Sequence, residues 1–249
     1  MRNIEEYTEI KRLFESGFSK RKISKITQIP RRTITDWINK GFQPLTKSFK
    51  FKEFKPERFI ENNEKDYAFL FGFYLGDGHI NKCARTYRLR MFNDNKYKNL
   101  NRDIELSMKR LFKNNSPNHM NSNCCIIYVC NSNLPILFPQ HGAGEKNSRK
   151  IEIHEWQKPI LKKYAKDFVR GLFLSDGFKG TSGKYRYYSF SNTSFDISNI
   201  LKTYLDFLNI RFTERFITPK NPSHKRISII SVRRQEEVKK LEEFIEEKS

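Results

Sequence analysis

The sequence predicts an α/β protein built from two similar halves and preceded by a small all-α domain. A ten-residue segment, FLFGFYLGDG at 69–78, recurs as FVRGLFLSDG at 168–177, at an offset of 99 residues. Strand-like and helical segments follow both copies in the same order. The N-terminal residues instead carry their apolar side chains at helical intervals. We therefore expect an all-α domain at 1–42, a basic linker at 43–61, and two halves at 62–146 and 147–249.

The composition indicates a folded protein with a polyanionic partner. The 249 residues include 48 Lys and Arg against 28 Asp and Glu, a formal net charge of +20, and the isoelectric point is near 9.8. Hydrophobic residues make up 37% of the chain and aromatic residues 14%, which is enough for packed cores and excludes a disordered chain. The positive charge therefore belongs to folded domains, and such surfaces attract phosphate-rich partners. A basic surface that serves only solubility is the alternative.

Targeting segments and zinc or disulfide sites are not expected. The longest strongly apolar run, 67–76, is about half as long as a membrane-spanning helix. Residues 1–18 contain four Glu and no apolar h-region, so we expect no signal or transit peptide, no membrane partner, and an intracellular, cytoplasmic location. The four cysteines match no metal-ligand spacing, and three of them fall in the strand-like run 124–130, which predicts buried reduced thiols.

The N-terminal domain is predicted to contain three helices. The first covers 3–16. The second places Ile23 and Ile26 inward, and the third begins at Pro30, because proline is well tolerated in the first turn of a helix. Two short helices joined by a tight turn form a helix-turn-helix pattern, which resembles the small DNA-binding modules of resolvases and many regulators.

The third helix is predicted to contact DNA. Its outward positions are Arg31, Arg32 and Thr35, and arginine can recognise guanine through two hydrogen bonds in the major groove. A three-helix bundle with a solvated basic face is the alternative. The linker at 43–61 is basic, with interleaved Phe and two prolines, and either follows the DNA backbone or is a solvated tether.

The repeated segment predicts two helices in close contact. Gly72 and Gly76, like Gly171 and Ser175, lie four residues apart, so each pair falls on one helical face and permits backbone-to-backbone packing. Glycine inside a helix costs about 0.5–1 kcal/mol relative to alanine. Its presence in both copies therefore indicates that a close contact is required.

Two aspartates at the ends of these helices are the candidate functional residues. Asp77 and Asp176 precede Gly78 and Gly177, which we expect to end the helices in the left-handed conformation. A carboxylate at a helix C-terminus is disfavoured by roughly 0.3–1 kcal/mol, and parallel packing would bring two such carboxylates together, which is unfavourable without a cation between them. Hard divalent cations such as Mg²⁺ bind carboxylate and phosphate oxygens, so the sequence predicts a divalent-metal site. A pair of exposed Asp-Gly capping turns is the alternative.

The chain carries two copies of one motif, LFGFYLGDG at 70–78 and VRGLFLSDG at 169–177. In these two copies it resembles the monomeric, two-motif LAGLIDADG homing endonucleases. The resemblance covers about residues 62–249 and implies a pseudo-twofold pair of αββαββα halves that form a DNA-binding saddle. It implies that the two aspartates bind Mg²⁺ and that the backbone oxygens of Gly76 and Ser175 contribute to the metal sites. It also implies that a monomer cuts both strands of a double-stranded DNA site.

The resemblance further suggests residues that contact DNA. Lys179, three residues after the second aspartate, is the first candidate for a side chain that organises water near the cleaved phosphate. Arg88 and Arg90 alternate with apolar residues on a predicted strand, so they are expected to face DNA and recognise bases. Further candidates near the phosphates are Lys82, Asn95, Lys96, Asn192 and Lys225. Expected DNA contacts in the second half are Lys184, Tyr185, Arg186, Tyr187 and Lys225.

These observations predict a site-specific, Mg²⁺-dependent DNA endonuclease that hydrolyses phosphodiester bonds with a metal-activated water. The helix-turn-helix domain would add affinity or extend the recognised site. No splicing block is recognisable around the repeated region, which favours a free-standing or intron-encoded enzyme. Two alternatives stay open: a relative that has lost cleavage and acts as a transcriptional regulator, and an RNA-binding intron maturase.

Overall fold

The computed structural model describes residues 4–39, 54–113, 115–121, 124–219, 221 and 225–246. The chain divides into two units, residues 1–54 and 55–249. Among the described residues, no helix is both long enough and apolar enough to cross a membrane.

Three helices surround one small core in the first unit. They are α1 (Ile4–Glu15), α2 (Lys20–Thr27) and α3 (Arg31–Asn39). The core consists of five buried side chains, which are Ile10, Leu13, Ile23, Ile29 and Ile34. The turn between α2 and α3 is stabilised by the Ser24 hydroxyl, which donates to the Ile29 carbonyl at 2.6 Å.

One expectation for the first unit is wrong. Ile26 was assigned to the inward face of α2 by its spacing from Ile23, but its side chain is 51% exposed. The helix has only eight residues and buries Ile23, and Ile29 beyond the turn supplies the next apolar contact. Helical spacing therefore overstates the width of the buried stripe on so short a helix.

The second unit begins with a short helix, α4 (Pro56–Ile60), which lies within the segment predicted as a linker. Ile60 is fully buried, so the end of this segment packs against the rest of the second unit. The rest of the predicted linker, 43–53, lies outside the described residues.

Two halves with the same order of elements make up the rest of this unit, which confirms the predicted αββαββα pair. The first half contains α5 (Glu64–Asp77), β1 (Gly78–Lys82), β2 (Tyr87–Asn93), α6 (Lys98–Leu111), β3 (Asn118–Asn121), β4 (Cys125–Asn131) and α7 (Leu134–Leu137). A 3₁₀ turn (Lys146–Ser148) and α8 (Gln157–Lys163) connect the halves. The second half contains α9 (Ala165–Asp176), β5 (Gly177–Ser182), β6 (Tyr185–Asn192), α10 (Phe195–Phe207), β7 (Thr213–Ile217), β8 (Ile227–Val232) and α11 (Gln235–Glu242).

Each half contains one four-stranded antiparallel sheet. The strand orders are β1-β2-β4-β3 and β5-β6-β8-β7, so the two sheets have equivalent topology. Leu89 and Val129, paired across β2 and β4, are fully buried on the face that packs against helices. Arg88 and Cys130, the next pair, lie on the opposite face and are partly exposed. We call this second face the open face of each sheet.

The two halves meet along α5 and α9, a contact that we call the seam. A methyl group placed on Gly72 would lie 2.2 Å from the carbonyl oxygen of Phe168. A methyl group on Gly171 would lie 2.2 Å from the carbonyl oxygen of Phe69. Real carbon atoms do not approach this closely, so the seam requires glycine at both positions. The predicted backbone-to-backbone packing is therefore present.

The helices of the seam run parallel, because residues at the same offset of 99 meet along their length. Glu64, at the start of α5, accepts a hydrogen bond from Lys163 just before α9, at 2.7 Å. Near the other end, a methyl group on Gly76 would lie 2.1 Å from the Ser175 hydroxyl. The C-termini of both helices therefore lie side by side.

The glycines after the aspartates do not have the left-handed conformation that was expected. Gly78 has φ −101° and Gly177 has φ −89°, both with extended ψ, because each residue starts a strand directly after its helix. Glycine is required there for a different reason. A methyl group on Gly78 would lie 2.5 Å from the Tyr74 Cα atom, and one on Gly177 would lie 2.3 Å from the Phe173 carbonyl oxygen.

Substitution at the seam tests this packing. We expect Gly171→Ala to lower the free energy of unfolding by about 2–3 kcal/mol, because the added methyl group overlaps the backbone of α5 and forces the helices apart. The measurement is urea denaturation followed by circular dichroism. Gly142→Ala is the matched control, since a methyl group there meets only side-chain atoms of Arg149, at 3.2 Å or more, and no backbone. Its expected change is within about 0.5 kcal/mol, and equal losses in both variants would contradict the packing argument.

Candidate metal and nucleic-acid site

The two aspartates lie at adjacent helix ends. Asp77 is the last residue of α5 and Asp176 is the last residue of α9, and both side chains are half-buried. A methyl group on Gly76 would lie 3.0 Å from the carboxyl carbon of Asp176, so this carboxylate rests against the backbone of the other helix. The seam therefore holds both carboxylates at one place, as the sequence predicts from parallel packing.

Asp176 also has a fixed protein partner. The side-chain amide of Asn192 donates to Asp176 Oδ2 at 2.7 Å, while the oxygen of the same amide accepts from the backbone of Ser194 at 2.7 Å. Asn192, one of the candidates from the sequence, is thus brought to the site at the end of β6. In the first half, the residue at the equivalent position is Asn93, and its amide donates to Asn101 at 2.9 Å.

A lysine that the sequence did not single out sits at the end of α5. The ammonium of Lys146 donates to the backbone oxygens of Tyr74, Leu75 and Gly76, at 2.5, 2.9 and 2.7 Å. Carbonyl groups at a helix C-terminus lack intrahelical partners, so a cation is well placed there. The Gly76 oxygen, which the resemblance assigned to a metal, is therefore already bound by an ammonium group.

Four contacts fix the 3₁₀ turn that carries this lysine. Asn147 donates to the Thr193 hydroxyl at 3.0 Å and accepts from Lys225 at 2.7 Å, so both partners come from the second half. Arg149 donates to the backbone oxygens of Gln140 and Gly144, at 3.1 and 2.6 Å respectively. Lys225, a predicted DNA contact, thus supports the turn beside the aspartates.

Burial lowers the pKa of Lys146 to about 8, while the carboxylates of Asp176 and Asp77 act in the opposite direction and favour the ammonium form. The negative charges of the site and the lysine therefore stabilise each other. Neighbouring Tyr74 is buried as well, and burial raises the pKa of its hydroxyl to about 12.

Lys179 and Arg186 have a common partner. Lys179 pairs with Glu242 of α11 at 3.1 Å, and Arg186 pairs with the same carboxylate at 2.9 Å. The register of β5 and β6 places Lys179 opposite Tyr188, a buried residue on the helix-facing side of the sheet. The structure therefore directs Lys179 and Arg186 toward the C-terminal helix rather than across the open face.

Two arginines lie on the open face of the first sheet. The Arg88 guanidinium is 4.9 Å from the centre of the Tyr128 ring, and Arg90 contacts His79 Nδ1 at 3.1 Å. A guanidinium only donates, so His79 Nδ1 accepts and this imidazole is neutral. Burial and the positive charges of Arg90, Lys146 and Arg149 lower the pKa of His79 in agreement with that state.

The remaining candidates lie at the surface. Lys184 follows Gly183 in the β5–β6 turn and is exposed. Lys96 pairs with Asp94 at 3.0 Å, whereas Lys82 and Asn95 are exposed. In the first unit, Arg31 and Arg32 are exposed at the start of α3, and Thr35 is half-buried.

In the described part of the chain, no group of three or more His, Cys, Asp and Glu side chains could hold a metal ion. A metal at the seam would therefore have two carboxylate ligands and otherwise backbone oxygens, water or substrate. This donor set fits Mg²⁺, which often binds through one or two carboxylates together with waters and phosphate oxygens.

Comparison with known proteins identifies the fold. No protein-family model matches the chain. Solved structures of the homing endonuclease I-DmoI are similar: the complex with DNA and Mn has a TM-score of 0.54 at 14% identity and covers 75% of this chain and 99% of that chain. The complex with DNA and Ca has a TM-score of 0.52 at 14% identity and covers 74% and 90%. The chain has the LAGLIDADG fold.

Two further similarities add no argument about function. The N-terminal LAGLIDADG domain of DUF199/WhiA has a TM-score of 0.47 at 16% identity and covers 75% of this chain and 83% of that one. The replication factor C small subunit of Methanocaldococcus jannaschii is 26% identical over 192 residues, which is 72% of this chain. This chain spans 10% of the length of that relative.

Lysine titration tests the geometry of the site. In wild-type protein, we expect NMR to detect one lysine with a pKa of about 8, because burial disfavours its ammonium form, whereas exposed lysines titrate near about 10.4. Lys146→Arg should remove that resonance. Asp77→Asn and Asp176→Asn should each move the pKa lower still, because each removes a negative charge that favours the ammonium. A pKa unchanged in both variants would place the lysine away from the carboxylates.

Proposed function

We propose that this chain is a site-specific endonuclease that hydrolyses double-stranded DNA with divalent metal ions. The observation that carries the proposal is the pair of aspartates, Asp77 and Asp176, held together at the C-terminal ends of the seam helices. The LAGLIDADG fold supports it, since solved I-DmoI structures with this fold contain DNA and Mn or Ca. The net charge of +20 favours a nucleic-acid partner.

Asp77 and Asp176 are the residues that would hold Mg²⁺. When bound, such an ion lowers the pKa of coordinated water and stabilises the oxygens that attack and leave in phosphodiester hydrolysis. The chain's own contribution is geometric. The glycines of the seam bring the two carboxylates together, and Asn192 orients Asp176 through a 2.7 Å hydrogen bond. Each half supplies one aspartate, which suits an enzyme that cuts both strands as a monomer.

The open faces of the sheets are the proposed DNA-binding surface. Arg88 and Arg90 project from the first sheet, and the exposed Lys184 lies in a turn of the second. A two-stranded β-ribbon fits the major groove, where arginine hydrogen-bonds to guanine. Lysines at the edge of such a surface contact phosphates. These contacts raise the affinity for DNA but do not recognise its sequence.

Cleavage of a library of DNA sites in the presence of Mg²⁺ tests the nuclease. We expect wild-type protein to cut both strands at a defined site, and Asp77→Asn and Asp176→Asn each to reduce the rate by about 100-fold or more, because each removes a charge from the metal site. Asp206→Asn is the control, since this exposed aspartate lies at the end of α10. Its rate should match that of the wild type. Tight binding to DNA in Mg²⁺ without any cleavage would contradict the proposal.

A cleavage-inactive DNA-binding regulator is the second candidate. It is favoured by the protein contacts already present at the site, where Lys146 binds the Gly76 oxygen and Asn192 binds Asp176. A regulator needs the fold and the basic surface but no metal. The library experiment separates the two functions, because only the nuclease produces cut DNA.

We also propose that α3 of the first unit contacts DNA. Arg31 and Arg32 are exposed there, while Ile34 fixes the opposite side of the helix in the core. This arrangement leaves the two guanidinium groups available to a groove or to phosphates.

Deletion of residues 1–42 should weaken DNA binding, and Arg32→Ala should weaken it by about 1–3 kcal/mol where the arginine recognises a base. Fluorescence anisotropy at several salt concentrations provides the measurement. Arg12→Ala is the control, because Arg12 on α1 already pairs with Glu9 at 2.8 Å. Unchanged affinity and site preference after the deletion would count against a role of this unit in recognition.

A further inference from the structure

We infer that the ammonium of Lys146 takes the place of one metal ion at the seam, so that the site binds one divalent ion instead of two. The inference rests on the proposed metal site at Asp77 and Asp176, and it concerns how many ions that site accepts.

The ammonium of Lys146 already occupies the end of α5. It lies within hydrogen-bond distance of three successive carbonyl oxygens at the end of α5, including that of Gly76. The Gly76 backbone is also the part of α5 that contacts the carboxyl group of Asp176. A metal ion that used the Gly76 oxygen together with Asp176 would have to displace the lysine. At the end of α5, the ammonium of Lys146 therefore already supplies a positive charge.

The charge of the site also favours one divalent ion over two. Two carboxylates carry −2, and two parallel helix C-termini add about −0.5 each, so the site has a charge of about −3. One ammonium and one divalent ion together supply +3 and neutralise it. Two divalent ions in addition to the lysine would supply +5, and their mutual repulsion would then oppose binding.

The two halves differ at the position of the lysine. Lys146 lies in a small cavity beside Tyr74 and Gly78 of the first half. In the second half, Phe173 and Gly177 correspond to Tyr74 and Gly78 at the offset of 99, and they line a cavity of about 620 Å³. Ile245, which corresponds to Lys146 at the same offset, lines this cavity as well. An isoleucine thus stands at the sequence position that corresponds to the lysine. The residues at these equivalent positions differ, so the two helix ends are chemically different.

The turn that carries the lysine is rigid enough for this role. Asn147 is held by Thr193 and Lys225, and Arg149 is held by the Gln140 and Gly144 oxygens. Asn147 and Arg149 follow the lysine in sequence, and the acceptors Gln140 and Gly144 precede it, so the backbone is held on both sides of Lys146. Lys146 acts as a positioning residue, because it changes the ions that the carboxylates bind and does not touch the reacting atoms.

Counting bound ions tests the inference without any cleavage assay. The free Mn²⁺ signal in electron paramagnetic resonance is titrated with full-length protein, alone and with duplex DNA. We expect one tightly bound Mn²⁺ per wild-type chain and two per chain of Lys146→Gln, because the shorter, neutral side chain removes the positive charge from the end of α5. Lys146→Arg, which keeps the charge, should bind one. Thermal unfolding of each variant verifies that it is folded.

The possible outcomes separate this inference from the proposed function. Two ions in the wild type, or one ion in folded Lys146→Gln, would overturn the role of the lysine and leave the metal site intact. No bound ion in the wild type, or a count that Asp77→Asn and Asp176→Asn leave unchanged, would remove the metal site itself and with it the proposed mechanism. Even if Lys146→Gln does not fold, the number of Mn²⁺ ions bound by the wild type tests the inference, because two ions would contradict it.

Discussion

The close approach of α5 and α9 is the contact on which the rest of the second unit depends. Gly72 and Gly171 place each helix against the carbonyl oxygens of the other, where a single methyl group would overlap by more than 1 Å. Each glycine costs about 0.5–1 kcal/mol in helix propensity. That cost is offset by a buried interface between the halves, and the interface sets the separation of the two helix ends. The positions of Asp77 and Asp176 follow from it directly.

The same contact creates an electrostatic problem that the chain has to solve. Parallel helices bring their negative ends together, and each end here carries an aspartate as well. Asn192 donates to one carboxylate, and Lys146 donates to the carbonyl oxygens beside them. These two contacts lower the energy of the folded protein while still leaving a negatively charged site. The divalent cation of the proposed function would bind at this negatively charged site, and the packing of the seam sets the position of that site.

Much of this arrangement could be predicted from the sequence, because the repeat places equivalent residues at a constant offset and periodicity identifies helices and strands. The seam glycines and the aspartates are local features of the motif, so the sequence alone could identify them. Lys146 was not, since it belongs to an irregular connection and reaches α5 only through tertiary contacts. Likewise, the sequence places Lys179 near the site by proximity to Asp176, but it does not reveal that Glu242, more than sixty residues later, pairs with it. Local sequence patterns do not reveal ion pairs between residues that are distant in the sequence.

The differences between the halves have a consequence for recognition. A symmetric dimer presents identical surfaces and is matched to a palindromic site. Here, Arg88 of the first sheet corresponds at the offset of 99 to Tyr187 of the second, and His79 corresponds to Phe178, which is 61% exposed. On the proposed DNA-binding surface, the first open face would offer hydrogen-bond donors to base edges, whereas the second would offer aromatic rings, which suit thymine methyl groups and other apolar surfaces. Under the proposed function, two such unlike surfaces, joined by one shared pair of aspartates, would suit a DNA target whose two half-sites differ in sequence.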